Sequence, residues 1–158
     1  MTPENRKLLL KDVCARIPFG VKFSIIWALH PKEFNLVTII GTILNINRWG
    51  LVSFEWEYEG RLIQEINLTT IESIKPYLFP LSSMTDEQKK EFLSVAGYEA
   101  REEDCGRHTE TYYYDTVGHE HNFYPNSDAI DWLNKNHFDY RGLIPLGLAN
   151  DATGLNIY

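Results

Sequence analysis

Basic clusters, cysteine frameworks and long apolar runs are what this chain lacks. Its 158 residues carry a net charge of −7, with no grouping of Lys and Arg along the chain. Binding to a duplex draws most of its affinity from phosphate neutralisation, so nucleic acid is a disfavoured partner. Only two cysteines are present, Cys14 and Cys105, which leaves open one disulfide or two buried thiols. No uninterrupted apolar stretch nears eighteen residues, so no membrane span is expected. The first residues include Glu4 and form no apolar core of a signal peptide. These absences together point to the cytoplasm, where thiols stay reduced.

Catalytic signatures are missing too. There is no Gly-x-Ser-x-Gly elbow, no phosphate loop, no dinucleotide glycine fingerprint and no His-Glu-x-x-His. No internal repeat or low-complexity segment appears. What is abundant is aromatic: 13% of residues, including four Trp and nine Tyr. Disordered chains lack such residues because they cannot offset chain entropy by burial, so the chain is expected to be an ordered globule.

Periodicity predicts an α+β fold. Thr2 caps and Pro3 opens a helix over 3–16, with Leu10, Val13, Cys14 and Ile17 as its apolar stripe. Alternation from Val21 to Leu29 predicts a strand. Leu36 to Ile46 predicts a second, with Gly41 marking a bulge or bend. Val52, Phe54, Trp56 and Tyr58 alternate with polar residues, and Glu59-Gly60 turns this strand into Arg61–Ile66. A short strand or helical turn is expected at Ile71–Ile74. The expected architecture is an N-terminal helix with a small antiparallel β-sheet or SH3-like barrel over residues 1–80. A helix–β-hairpin–helix part over 81–158 packs on it, as one shared core.

Lys75 to Ser83 has two prolines and no period, and reads as an ordered strap. Thr85-Asp86-Glu87-Gln88 is a capping box, predicting a helix over 86–96 that ends at Gly97. Residues 99–108 are polar and acidic and predict an exposed loop. Thr109 to Val117 predicts a strand, with a second through Phe123. Asn126 or Ser127 caps the last helix, whose inner face includes Ile130, Leu133 and His137. Leu143, Ile144, Leu146 and Leu148 beyond it need burial.

Three segments carry a resemblance: Leu8 to Lys22, Ile74 to Thr85, and Ala129 to Ile144. The chain resembles small gut Bacteroidetes proteins often borne on prophages or mobile elements. That family has no established activity, so the resemblance implies a shared fold and kind of origin and transfers no site.

Candidate chemistry is sparse. Cys105, His108, His119 and His121 are all residue types that ligate zinc, and His119 and His121 would share one face of a strand. The spacing fits no common zinc-finger pattern, and a solvated loop with a polar hairpin is the simpler expectation; no cofactor is therefore assigned. Glu102, Glu103 and Asp104 form a solvated run, and Glu55 and Glu57 lie on the outward side of a strand. Cys14, placed on an apolar stripe, is expected to be an inert buried thiol. His137 is expected to be a satisfied core histidine. The aromatics remain: Arg48-Trp49 in a connection, and Tyr112, Tyr113 and Tyr114 on a strand. Exposed Trp beside Arg is the make-up of a protein-contact hot spot. The expected function is a non-enzymatic interaction module with a protein partner. The rivals are a metal-dependent protein on the Cys/His cluster, and an acidic decoy that imitates nucleic acid.

Overall fold

The structure, a computed structural model, describes residues 1–28, 36–104, 109–115 and 124–158. The fold is α+β, as expected. The described residues form two compact units. The first is Met1–Pro80 together with His137–Tyr158, and the second is Leu81–Asn136. Residues 137–158 therefore join the first unit, whereas the sequence grouped them with 81–136. The cause is backbone pairing: the Phe79 N–H donates to the His137 carbonyl (2.9 Å), and the Asp139 N–H to the Phe79 carbonyl (2.7 Å).

In the first unit, α1 spans Pro3–Arg16, with the Thr2 hydroxyl accepting from the Asn5 N–H. Strands β1 (Lys22–Ala28), β2 (Leu36–Ile46), β3 (Leu51–Tyr58) and β4 (Arg61–Thr70) follow as an antiparallel meander. A 3-10 turn at Ile71–Ser73 leads to β5 (Lys75–Leu78), so the expected ordered strap begins as a strand and ends in a 3-10 turn at Leu81–Ser83. β5 lies antiparallel to β1 and parallel to the short β8 (Asn150–Asp151). The sheet order is β4-β3-β2-β1-β5-β8. Among the described residues no pairing joins its two edges, so the sheet is open and mixed.

The core lies on one sheet face, where Leu9 and Val13 of α1 meet Phe23, Ile25, Ile43, Val52, Phe54 and Trp56. Phe23 and Phe54 meet edge to face with centroids 5.1 Å apart. The buried face of α1 is Leu9, Asp12, Val13 and Arg16, at i, i+3, i+4 and i+7. Cys14 is exposed, correcting the expected stripe. Apolarity alone misjudged the face, because two of the inward residues are an ion pair.

Gly41 is not a bulge: it pairs regularly with Phe23 and Trp56. A Cβ there would stand 2.7 Å from the Glu55 carbonyl oxygen and 3.0 Å from the Phe23 ring. Its glycine serves close packing, and the register shift falls instead between Ile43 and Asn45. The Glu59-Gly60 turn has φ of 49° and 74°, the paired positive values of a two-residue type I′ hairpin.

In the second unit, α2 spans Asp86–Ala96. Its capping box is complete: the Gln88 N–H donates to the Thr85 hydroxyl, and the Thr85 N–H donates to the Gln88 side chain. β6 (Tyr98–Asp104) pairs antiparallel with β7 (Thr109–Asp115). Residues 99–104 are thus a strand where a loop was expected, since cross-strand partners on β7 outweigh the low strand propensity of an acidic segment. α3 spans Ser127–Lys135. Its cap, Asn126, accepts from the Ala129 N–H (2.8 Å), and its amide donates to the Ala96 carbonyl at 3.3 Å. Phe92 of α2 meets Trp132 of α3 with the rings tilted and their centroids 5.5 Å apart.

Candidate functional site

The connection between β2 and β3 is held from several sides. The Asn47 side-chain oxygen accepts from the Trp49 N–H (2.9 Å) and the Leu51 N–H (3.1 Å), a short polar side chain replacing a backbone turn. The Gly50 N–H donates to the Asn47 carbonyl, and the Gly50 carbonyl accepts from the Ile71 N–H. Arg6 of α1, itself paired with Glu72, donates to the Trp49 carbonyl. On this anchored turn Trp49 is 64% exposed. The Arg48 guanidinium lies 4.2 Å from its ring centroid. A large apolar ring is thus displayed beside a cation on a backbone that has little freedom left to lose on binding.

A concavity belongs to the second unit. Between α2 and the β6–β7 hairpin lies a groove of about 1010 Å³, lined by Lys89, Lys90, Phe92, Tyr98, Glu99 and Tyr113 among others. Most of its charged lining is exposed, with the Lys89 side chain pairing Asp86 at 3.0 Å. This groove offers aromatic and aliphatic surface with solvated charges at its rim.

The three tyrosines part company on β7. Tyr113 lines the groove, while the alternation of a strand sends Tyr112 and Tyr114 to the opposite face. There the Arg101 guanidinium sits 4.7 Å from the Tyr114 ring. Trp56 is in the core and Glu57 is exposed, while Glu55 accepts from Gln64 across the β3–β4 pair. Cys105, His108, His119 and His121 lie outside the described residues. Among the described residues, no group of three or more His, Cys, Asp or Glu could hold a metal ion.

Sequence reasoning missed a buried polar cluster in the first unit. Arg16 donates to both carboxylate oxygens of Asp12 (2.8 and 3.0 Å) and to the Phe138 carbonyl (2.7 Å). Arg141 adds a third contact to Asp12 at 3.1 Å. Tyr140 lies under both guanidinium groups, at 5.5 and 4.7 Å. The i,i+4 spacing of Asp12 and Arg16 in register with Leu9 and Val13 was the available signal. Every charge here has a partner, which marks a structural cluster.

His137 sits past the end of α3 with φ of 57°, off the helix face where it was expected. Its ring stacks on Tyr158 at 3.9 Å. The Tyr158 hydroxyl turns inward, donating to the Tyr77 carbonyl and accepting from the Lys22 N–H. Burial, then the nearby Arg16 charge, lowers the His137 pKa to about 4, against the opposing hydrogen bond with the Phe19 backbone. The folded ring is therefore neutral at pH 7, while the unfolded one gains a proton below about 6.5. The contribution of this ring to stability is full above that pH and falls as the pH drops toward 4, by about 2 kcal/mol at pH 5. His137→Asn, whose side chain tolerates positive φ, should flatten this part of the profile in urea titrations between pH 7.5 and 4.5. Equal slopes for both proteins would count against the assignment.

No family model, no curated protein and no solved structure matches this chain. Among the described residues, no helix is long and apolar enough to cross a membrane.

Proposed function

We propose that the protein is a non-enzymatic interaction module of the phage or mobile-element type, working in the cytoplasm and engaging a protein partner through Trp49. The observation that carries this reading is the exposed indole of Trp49, set beside Arg48 on a turn braced by Asn47, Arg6 and the Ile71 backbone. Trp and Arg are the side chains most enriched among residues that dominate contact energies. Bracing matters as much as identity, because a pre-ordered anchor gives up little entropy on docking. The groove beside Tyr113 supports the same reading, as a second surface with aromatic lining and exposed charge.

Trp49→Ala leaves the core intact and should preserve the melting temperature. It should weaken the partner by about 2 kcal/mol, roughly thirtyfold. Affinity capture from the host lysate, with wild type and Trp49→Ala compared side by side and bound proteins quantified by mass spectrometry, checks this. Identical capture profiles for the two proteins would remove Trp49 from the contact. Substrate turnover by the purified protein would remove the non-enzymatic reading.

A further inference from the structure

β4 pairs with β3 on one side, and among the described residues no strand pairs with its other side. The β3–β4 register is unbroken from Tyr58↔Arg61 to Phe54↔Glu65, then shifts before Val52↔Thr69. Five residues, Arg61 to Glu65, therefore form the regular part of this edge, and Ile63 is their centre.

The hairpin determines which backbone groups face outward. In a two-residue turn the flanking pair, Tyr58 and Arg61, is hydrogen-bonded, so the Arg61 N–H points to β3. Alternation turns those of Ile63 and Glu65 the same way. The N–H and C=O groups of Leu62 and Gln64 then point to the free side. Even a short exposed edge is a template for another strand unless proline, a bulge or unmatched charge blocks it. Residues 61–65 contain no proline. Leu62 is 66% exposed.

We infer that β4 pairs antiparallel with β4 of a second copy of this chain, about a two-fold axis through Ile63. This axis sets Leu62 opposite Gln64 of the other copy, twice, so that four outward backbone groups on each side find partners. It sets Ile63 against itself and Arg61 against Glu65 at both ends. These last are non-hydrogen-bonded positions, where facing side chains come closest. Arg61 and Glu65 share one face of the strand with Ile63, and neither takes part in an ion pair within the chain among the described residues. A slide by two residues one way opposes Ile63 to Glu65 and runs into the register shift. A slide the other way leaves Glu65 without Arg61. A slide by one faces outward groups with inward ones. Charge complementarity thus selects both the occupant and the register.

The contact is short, and a weak, concentration-dependent dimer is expected. Sedimentation equilibrium over a roughly thousandfold range reaching about 1 mM should show the mass rise from 18.4 kDa toward twice that value. Arg61→Glu and Glu65→Arg each convert two opposite-charge pairs into like-charge pairs, and each should weaken the dimer at least about tenfold. The double charge swap should restore it, a result that damage to the fold would not produce. Gln64→Pro removes an outward N–H that β3 does not use and should abolish pairing while the monomer stays folded by circular dichroism. A mass of 18.4 kDa throughout, a dimer indifferent to the single changes, or singles that the swap does not rescue would each overturn the inference. So would a dimer untouched by Gln64→Pro, or strand pairing with an unrelated peptide in place of self-association.

Discussion

Replacing Arg16 with methionine should cost about 3–5 kcal/mol, the range for removing one partner of a buried ion pair. The side chains of Arg16 and Asp12 are both fully buried. Without Arg16, Asp12 keeps only its contact to Arg141, and the Phe138 carbonyl loses a charged donor. Methionine nearly fills the volume, so the loss measures charge and hydrogen bonding more than packing. The double variant Asp12→Leu/Arg16→Met should cost less than Arg16→Met alone, because no charge is then stranded in the interior. Arg141, at 15% exposed, can turn to water when Asp12 is gone. Urea unfolding of the three proteins gives the comparison. A single-variant cost below about 1 kcal/mol would mean that Arg16 reaches solvent in the folded state.

That pair also shows where sequence reading stops. Local signals that act within one turn were legible. The capping box Thr85-Gln88 and the Glu59-Gly60 hairpin appear as expected, because each is decided by side chains three residues apart or by φ at two positions. Signals that depend on distant partners were not. The inward face of α1 could not be told from its apolar residues, since the partners of Arg16 include Phe138, which is 122 residues away. Gly41 looked like a bend because the ring and carbonyl that exclude a side chain belong to Phe23 and Glu55, on the neighbouring strands. Residues 99–104 looked like a loop because their reason to be extended is β7. The candidate site divides the same way. Trp49 was identifiable from composition, but the bracing by Arg6 and Ile71 arrives through α1 and the 3-10 turn. The three tyrosines read as one patch until strand alternation placed Tyr113 alone in the groove.

Leu143→Ala is expected to destabilise the first unit by about 2–5 kcal/mol, as for a large aliphatic removed from a packed core. The tail beyond His137 was expected to need burial, and its apolar residues turn out unequal. Leu143 is fully buried and Leu148 is 7% exposed, both within the cluster that includes Phe23 and Phe54. Leu146 is 51% exposed. The turn that makes this division is fastened by Asp139, whose carboxylate accepts from the Leu143 N–H (2.8 Å) and the Ile144 N–H (2.7 Å). It closes where the Leu148 N–H donates to the Leu143 carbonyl at 2.9 Å. From there the chain enters β8 beside β5, and the Ala152 N–H donates to the Leu78 carbonyl. Leu143 is thus the apolar anchor of a segment that adds the last strand to the sheet. Its truncation should lower the urea midpoint, whereas Leu146→Ala should stay within about 0.5 kcal/mol of wild type. Similar costs for the two would show that the tail does not contribute to the core. A large cost for Leu143 alone would establish that residues 137–158 stabilise the first unit, and that a chain ending at Asn136 would leave the core exposed where that side chain now sits.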